Sequence, residues 1–169
     1  MNKCLFLDRD GVINVDYGYV YKKKEFIFRE GIFDICNEAQ KMSFKIIVIT
    51  NQAGIGRGLY TESDFFNINE YMKLKFNQRD LNIDDVYFCP FHPKKGKGIY
   101  LKDSYDRKPN PGMILKAVDE HNLDIKSSIF IGDKESDRQA ASNAGIPYFL
   151  DAKDDDWINK SINLIRRID

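Results

Sequence analysis

The sequence predicts an α/β protein with a mainly parallel sheet of five to six strands and helices on both faces. Short apolar runs alternate along the chain with segments of helical periodicity, as in sheets built from strand-helix-strand units. The runs at residues 4–7 and 45–49 are apolar throughout, which is typical of strands that are buried on both faces. The length of 169 residues fits one domain, which we expect to span residues 1–169.

Each predicted element depends on a local pattern of apolar and polar residues. Apolar residues recur at helical spacing in the helices and run continuously in the strands, and Thr61 has the character of a helix N-cap. The predicted elements follow one another in this order: strand 4–7, helix 31–42, strand 45–49, helix 61–79, strand 86–88, helix 113–121, strand 128–131, helix 135–144, strand 148–150 and helix 156–167.

Three connecting segments carry their own signals. Residues 16–21 are aromatic and β-rich around Gly18, which predicts a hairpin flap beside the first strand. The glycines at 54, 56 and 58 predict a turn that passes close to a ligand. Residues 89–106 are rich in Pro, Gly and Lys, and a long loop of this kind inside a compact domain is usually functional.

Composition narrows the possible partners and location. The chain carries 26 basic and 26 acidic residues, so no net field favours nucleic acid or an anionic membrane, and we expect neither as a partner. No apolar run reaches the length of a membrane span, and the first residues lack a signal-peptide pattern, so we expect a cytoplasmic protein. The sequence does not indicate an oligomeric state, and a monomer is the default expectation. The three cysteines suit buried reduced thiols better than disulfides.

Polar residues follow several predicted strands where the strands end. In open α/β sheets ligands bind beyond the carboxyl ends of the strands, so these side chains should meet at one edge. Clustered carboxylates need a cation, and an all-oxygen cluster selects a hard ion such as Mg²⁺, while a lysine and a hydroxyl can hold a phosphate. This combination predicts phosphoryl transfer. The residues concerned are Asp8, Asp10, Thr50, Asn51, Lys108, Asp133 and Asp137.

Four segments, in this order, resemble the four motifs of the haloacid dehalogenase superfamily. They are Asp8-Arg9-Asp10-Gly11-Val12-Ile13-Asn14, Thr50-Asn51, Lys108-Pro109, and Gly132-Asp133-Lys134-Glu135-Ser136-Asp137. The resemblance implies a three-layer Rossmann-like core. The short spacing between the motifs leaves little room for an inserted cap domain, so we expect a capless enzyme whose site is screened by loops.

The resemblance also implies roles for single residues. Asp8 would be the nucleophile that forms an aspartyl-phosphate, and Asp10 would be the general acid and base. Thr50 and Lys108 would bind the phosphate. Mg²⁺ would be held by the side chains of Asp8 and Asp133 and by the backbone carbonyl of Asp10. The residues implied in binding the rest of the substrate are Asp16, Tyr17, Gly18, Tyr19, Asn51, Gln52, Ala53, Arg107 and Lys134.

More narrowly, residues 14–20, 50–58 and 107–113 resemble the branch that contains heptose 1,7-bisphosphate 7-phosphatases, which serve nucleotide-activated heptose and surface polysaccharide synthesis. The implied substrate is a small sugar bisphosphate. Histidinol-phosphate phosphatases are close relatives and remain the alternative. A phosphomutase would normally carry a larger cap, and a non-catalytic binding protein would be expected to have lost Asp8 or Asp10.

Members of this branch often bind zinc in the long loop through a Cys-x-His pair and a Cys-x-Cys pair. This chain keeps Cys89 but has Phe91 at the matching histidine position, and Ser104 and Asp106 at the second pair. His92 is adjacent, but structural zinc needs four good ligands, mainly sulfur and nitrogen. We therefore expect no zinc, and we expect the loop to be held by packing of its apolar residues Phe91, Ile99, Tyr100 and Leu101.

Overall fold

A five-stranded sheet forms the centre of the computed structural model, which describes residues 1–168. The strands are β1 (Cys4–Leu7), β2 (Lys45–Asn51), β3 (Asp85–Cys89), β4 (Ile129–Gly132) and β5 (Tyr148–Asp151). All neighbouring strands are parallel, and their order across the sheet is β3-β2-β1-β4-β5. This confirms the predicted α/β fold with a parallel sheet.

Helices cover both faces of this sheet. The helices are α1 (Ile32–Lys41), α2 (Ala53–Gly56), α3 (Glu62–Asn77), α4 (Gly112–His121), α5 (Glu135–Ala144) and α6 (Trp157–Arg167). Leu5 and Leu7 of β1 pack into one core with α1, α3 and α6, whereas Cys4 and Phe6 pack into a second core with α4 and α5. Because both faces are buried, the strand is apolar at every position.

The order of the strands decides where a ligand can bind. From β1 the chain builds outward through β2 and β3 on one side, and it later adds β4 and β5 on the other side. The switch point therefore lies between β1 and β4, and a crevice opens there at the carboxyl ends of the strands. Asp8 directly follows β1 and Asp133 directly follows β4.

Local signals in the sequence account for the helix ends. The hydroxyl of Thr61 accepts a hydrogen bond from the backbone N–H of Asp64, whose carboxylate accepts one from the backbone N–H of Thr61. This capping box begins α3 where the sequence predicts it. Helix α5 ends at Gly145, which has a φ of 87° and can adopt this left-handed conformation without a Cβ clash.

One local prediction is wrong. Residues 16–21 form a bend instead of a hairpin, because Gly18 (φ 79°) and Tyr19 (φ 54°) successively adopt the left-handed conformation, which interrupts an extended strand. The glycines after β2 lie in and beside the single helical turn α2 (Ala53–Gly56), and Gly54 lines a surface groove beside Asp10. Gly56 lies against the carbonyl of Pro90, where an added Cβ would approach the oxygen to 2.3 Å.

Within residues 1–168, none of the helices combines the length and apolar character needed to cross a membrane. The three cysteines are free and buried, as predicted. The connections after β1 and β3, where the long segments between motifs lie, contain the short 3₁₀ helices Lys23–Glu25 and Gly98–Tyr100. These segments therefore reach the site as loops.

Candidate active site

The side chains predicted to meet do lie together at the carboxyl ends of β1, β2 and β4. Oxygen atoms of Asp8, Asp133 and Asp137 lie within 4.8 Å of one another, and all three residues are buried. Lys108 reaches the same place from the loop that precedes α4. The sheet edge thus collects three carboxylates and one ammonium group from segments that are distant in sequence.

Lys108 is the central cation of this cluster. Its Nζ lies 2.9 Å from Oδ1 of Asp8 and 2.7 Å from Oδ1 of Asp137, and it donates a hydrogen bond to the carbonyl of Ile49 at 2.8 Å. The Lys108 side chain is only 2% exposed. One ammonium group therefore faces two buried carboxylates, and the cluster has a net negative charge when both are ionised.

Burial and like charge set the ionisation of the cluster. The pKa of the Asp8 carboxyl is raised to about 7, chiefly by burial, with Lys108 opposing the rise and Asp137 and Asp10 adding to it. Burial likewise raises the pKa of Asp133, with Lys134 opposing and Asp137 adding to the shift. Burial alone would lower the pKa of Lys108, but Asp8 and Asp137 outweigh it and raise that pKa. Without a further cation, the site resists full ionisation.

The residues present fit Mg²⁺. Oδ1 of Asp133 is buried without a hydrogen-bond partner, so it has an unused acceptor in a site of excess negative charge. Asp137 is less free, because its Oδ2 accepts hydrogen bonds from the backbone N–H groups of Asp133 and Lys134. An all-oxygen donor set suits a hard divalent ion. Asp8 and Asp133 are therefore the carboxylates best placed to hold it.

Asp10 is fixed by donors on three sides. Nη2 of Arg9 lies 2.9 Å from its Oδ1, Nδ2 of Asn14 donates to Oδ1 at 3.0 Å, and Nε2 of Gln52 donates to Oδ2 at 3.1 Å. Arg9 is fully buried, with its guanidinium 5.8 Å from the ring centroids of both Phe26 and Phe65. Sequence reasoning missed Arg9, since nothing local indicates that its side chain turns into the core.

Thr50 and Asn51 continue β2 beyond its predicted end. The hydroxyl of Thr50 is buried and accepts a hydrogen bond from Nε2 of Gln52 at 2.8 Å. The Asn51 side chain donates to the carbonyl of Lys108 at 3.0 Å and accepts from the backbone N–H of Lys108 at 3.1 Å. Asn51 therefore fastens the backbone that carries Lys108, a structural task that the sequence did not reveal.

An open groove adjoins Asp10 and collects most residues predicted to bind the rest of the substrate. Tyr17 is the exception, because it is 65% exposed and does not line the groove. Sequence reasoning did not single out Tyr60 and Ser136, which also line it. The predicted residues found there are Asp16, Gly18, Tyr19, Asn51, Gln52, Ala53, Arg107 and Lys134.

One wall of the groove is held by polar contacts. Oδ2 of Asp16 lies 3.1 Å from Nζ of Lys134, and Oδ1 of Asp16 accepts a hydrogen bond from the backbone N–H of Gly18 at 2.9 Å. Burial would raise the pKa of Asp16, but the Gly18 N–H and Lys134 outweigh it, and the pKa is lowered. Tyr19 is further held by a hydrogen bond from Arg57 to its hydroxyl. The turn at 16–19 is therefore tied to α5 and α2.

The long loop after β3 departs from its predicted packing. The rings of Phe91 and Tyr100 are 6.1 Å apart, but Ile99 and Leu101 are exposed, so their predicted part in the packing is wrong. His92 uses Nδ1 to accept hydrogen bonds from the backbone N–H groups of Lys94 and Lys95, which also hold this loop. Burial raises the pKa of the Cys89 thiol, a change that disfavours the thiolate that zinc requires.

Comparisons with known proteins agree with this geometry. Residues 97–150 match the family model described as haloacid dehalogenase-like hydrolase. A Campylobacter jejuni protein named D-glycero-α-D-manno-heptose-1,7-bisphosphate 7-phosphatase is 45% identical over 166 residues, which cover 96% of this chain and 91% of the relative. The chain belongs to the haloacid dehalogenase-like hydrolases. Its four motifs therefore predicted the family correctly.

Further members of the haloacid dehalogenase-like hydrolases support this placement. A Burkholderia mallei protein of the same name is 53% identical over 145 residues, covering 86% of this chain and 77% of its own length. The crystal structure of a HAD-like phosphatase from Mesorhizobium loti has a TM-score of 0.92 at 30% identity, and the match covers 99% of this chain and 87% of that chain. The D,D-heptose 1,7-bisphosphate phosphatase of B. bronchiseptica, complexed with magnesium and phosphate, has a TM-score of 0.74 at 30% identity. This match covers 85% of this chain and 76% of that chain.

Proposed function

We propose that this chain is a Mg²⁺-dependent phosphatase that removes the 7-phosphate of D-glycero-D-manno-heptose 1,7-bisphosphate. One observation carries the proposal: Asp8 lies at the sheet switch point beside Lys108, Asp133 and an open groove with basic residues. The substrate is taken from relatives of the same family, such as the C. jejuni and B. mallei proteins, which bear this activity in their names. The reaction would serve the synthesis of nucleotide-activated heptose.

In the proposed first step, a carboxylate oxygen of Asp8 attacks phosphorus, and the bond from phosphorus to the sugar oxygen breaks. Asp10 donates a proton to the departing oxygen, so the sugar leaves as an alcohol and the phosphoryl group stays on Asp8. Dividing hydrolysis in this way replaces one difficult displacement by two easier ones. General acid catalysis of this type raises the reaction rate by about 10²- to 10⁴-fold.

In the second step, Asp10 accepts a proton from the water that attacks the aspartyl-phosphate, which releases inorganic phosphate and restores Asp8. Lys108, which faces Asp8, and the buried Thr50 hydroxyl would bind the oxygens of the phosphoryl group throughout both steps. Mg²⁺ held by Asp8, Asp133 and the Asp10 carbonyl would neutralise charge as the carboxylate approaches the phosphate. Two unit charges at about 4 Å repel by about 4 kcal/mol at an effective dielectric constant near 20.

The second phosphate of the substrate needs cations outside this cluster. Lys134 and Arg107 line the groove and are separate from Lys108, which is buried beneath it. Burial would lower the pKa of Lys134, but Asp8, Asp133 and Asp16 raise it, so the side chain stays cationic. We therefore assign Lys134 and Arg107 to the phosphate that is not cleaved, and the turn at 16–19 to the sugar.

The test is phosphate release from purified protein. The substrates are both anomers of heptose 1,7-bisphosphate, fructose 1,6-bisphosphate and histidinol phosphate, each with Mg²⁺ or with EDTA. We expect the fastest turnover with a heptose bisphosphate. The α anomer is tested first, because the B. mallei and C. jejuni relatives are named for that anomer. Activity should vanish in EDTA and in Asp8→Asn. A preference for histidinol phosphate would support the alternative substrate, and activity in EDTA would exclude the mechanism.

A further inference from the structure

We propose that Gln52 is a positioning residue for Asp10 and Thr50 and does not contact the substrate through its side chain. The inference rests on the proposed function, because it concerns how that reaction obtains its general acid. Gln52 lies in the segment that the family resemblance assigns to substrate binding. Its surroundings in this chain indicate a different role.

All polar atoms of the Gln52 side chain are already engaged, and the residue is only 2% exposed. Nε2 donates to Oδ2 of Asp10 at 3.1 Å and to Oγ1 of Thr50 at 2.8 Å. Oε1 accepts a hydrogen bond from the hydroxyl of Tyr60. The amide has two donors and one acceptor oxygen, so little capacity remains for a sugar hydroxyl.

The orientation of this amide is determined by its partners. The NH₂ group faces Asp10 and Thr50 and donates to both. The opposite end must then be the carbonyl, and the Tyr60 hydroxyl supplies the matching donor. Tyr60 is 6% exposed, and its ring stacks on Tyr21 with centroids 5.0 Å apart and planes 11° apart. The support for Gln52 is therefore rigid.

Two consequences follow for the reaction. Arg9 and Asn14 donate to Oδ1 of Asp10, and Gln52 donates to Oδ2, which Nη2 of Arg9 also contacts at 3.1 Å, so the carboxyl group is held at both oxygens. The Thr50 oxygen accepts from Gln52, which leaves its own hydroxyl proton free to be donated to a phosphate oxygen. One amide thus orients both the proton carrier and a phosphate-binding hydroxyl.

The experiment measures kcat/KM for a series of phosphate monoesters that lack the sugar, from 4-nitrophenyl phosphate to simple alkyl phosphates. Protonation matters little for the 4-nitrophenolate leaving group and greatly for an alkoxide. The ratio kcat/KM reports the step in which the leaving group departs. We expect Gln52→Met to lower kcat/KM roughly ten- to a hundredfold for alkyl phosphates, and clearly less for 4-nitrophenyl phosphate.

Tyr60→Phe provides a second variant, since it removes only the donor to Oε1, and we expect a smaller loss with the same dependence on the leaving group. Tyr21→Phe is the matched control. It keeps the ring that stacks on Tyr60 and removes a hydroxyl that does not bond Gln52, so the kcat/KM values should stay unchanged for every leaving group. Rescue by Gln52→Asn is not expected, as the shorter side chain cannot span from Asp10 to Tyr60.

Three outcomes would overturn the inference. An equal loss for every leaving group in both variants would mean that Gln52 does not act through Asp10. A raised KM for the sugar bisphosphate, with the leaving-group series unchanged, would mean that Gln52 contacts the substrate. Absence of Mg²⁺-dependent phosphate release by the unaltered protein would instead refute the proposed function, and the inference with it.

Discussion

Nζ of Lys108 lies 2.9 Å from Oδ1 of Asp8, and both side chains are almost fully buried. Asp137 shares the same ammonium group at 2.7 Å. The pair is therefore part of a triad with two carboxylates and one cation, and its stability depends on what else neutralises the second carboxylate.

Lys108→Met should destabilise the protein as well as inactivate it. Removing the ammonium leaves Asp8 and Asp137 buried without their partner, which typically costs about 3 to 5 kcal/mol. We expect that loss in urea denaturation at pH 8, and a fall in kcat of at least about 10²-fold because a phosphate-binding cation is gone. Adding Asp137→Asn should restore part of the stability and none of the activity. Unchanged stability of the single variant would contradict the triad.

Asp8→Asn should stabilise the metal-free protein at high pH. The pKa of Asp8 rises to about 7 in the folded state, against about 3.9 in an unfolded chain, so the folded state binds the additional proton. Stability from this group is present below pH 4 and is lost as pH rises through 7. We expect the variant to exceed the parent by about 1 to 3 kcal/mol at pH 8 in EDTA, and to match it near pH 4.

Urea titrations at several pH values, with EDTA and then with Mg²⁺, measure this difference. Mg²⁺ should stabilise the parent protein more than the variant at pH 8, since the ion binds the ionised carboxylate. A parallel pH dependence of the two proteins would show that Asp8 ionises in the folded state as it does in an unfolded chain.

Asp133→Asn and Asp137→Asn should separate metal binding from structure. Asp133 has a buried oxygen without a partner, whereas Asp137 bonds the start of α5 and pairs with Lys108. We expect Asp133→Asn to weaken Mg²⁺ binding by at least about tenfold, as loss of a ligand does, with little change in folding. Asp137→Asn should mainly lower the melting temperature. Calorimetric Mg²⁺ titration and thermal denaturation test both, and reversed effects would exchange the two roles.

Lys134→Met should discriminate between substrates with one phosphate and with two. Lys134 is paired with Asp16 at 3.1 Å and lines the groove beside the buried cluster. If it binds the uncleaved phosphate, kcat/KM for the bisphosphate should fall at least about tenfold, since a charge-assisted contact is lost. The same sugar without its second phosphate should be affected little. Asp16→Asn serves as the companion variant, and an equal loss on both substrates would place Lys134 at the reacting phosphate.

Sequence patterns predicted the fold well because its strands are buried on both faces. Continuous apolar runs locate β1 and β2, and the Thr61 capping box locates the start of α3, each from neighbouring residues alone. The failure at 16–21 has the opposite cause. Aromatic residues there favour a strand, but positive φ angles at Gly18 and Tyr19, together with the contact from Asp16 to Lys134, impose a turn.

The same distinction applies to the site. Asp8 and Asp133 could be located from the sequence because each directly follows an apolar strand of a parallel sheet. The directions of Arg9, Asn51 and Gln52 could not, since their partners come from other segments of the chain. Strand ends predict which residues reach the sheet edge, but long-range packing decides which side chains turn inward to support them.

The burial of Arg9 links catalysis to the assembly of the protein. Its guanidinium donates a hydrogen bond to Asp10 and lies 5.8 Å from the ring centroids of Phe26, which precedes α1, and Phe65 of α3. One of the three donors to the acid is therefore a side chain that packs against α3. Activity is coupled in this way to the packing of the aromatic interior, and a substitution at Phe65, which does not line the groove, should lower the rate by loosening Arg9 and with it Asp10.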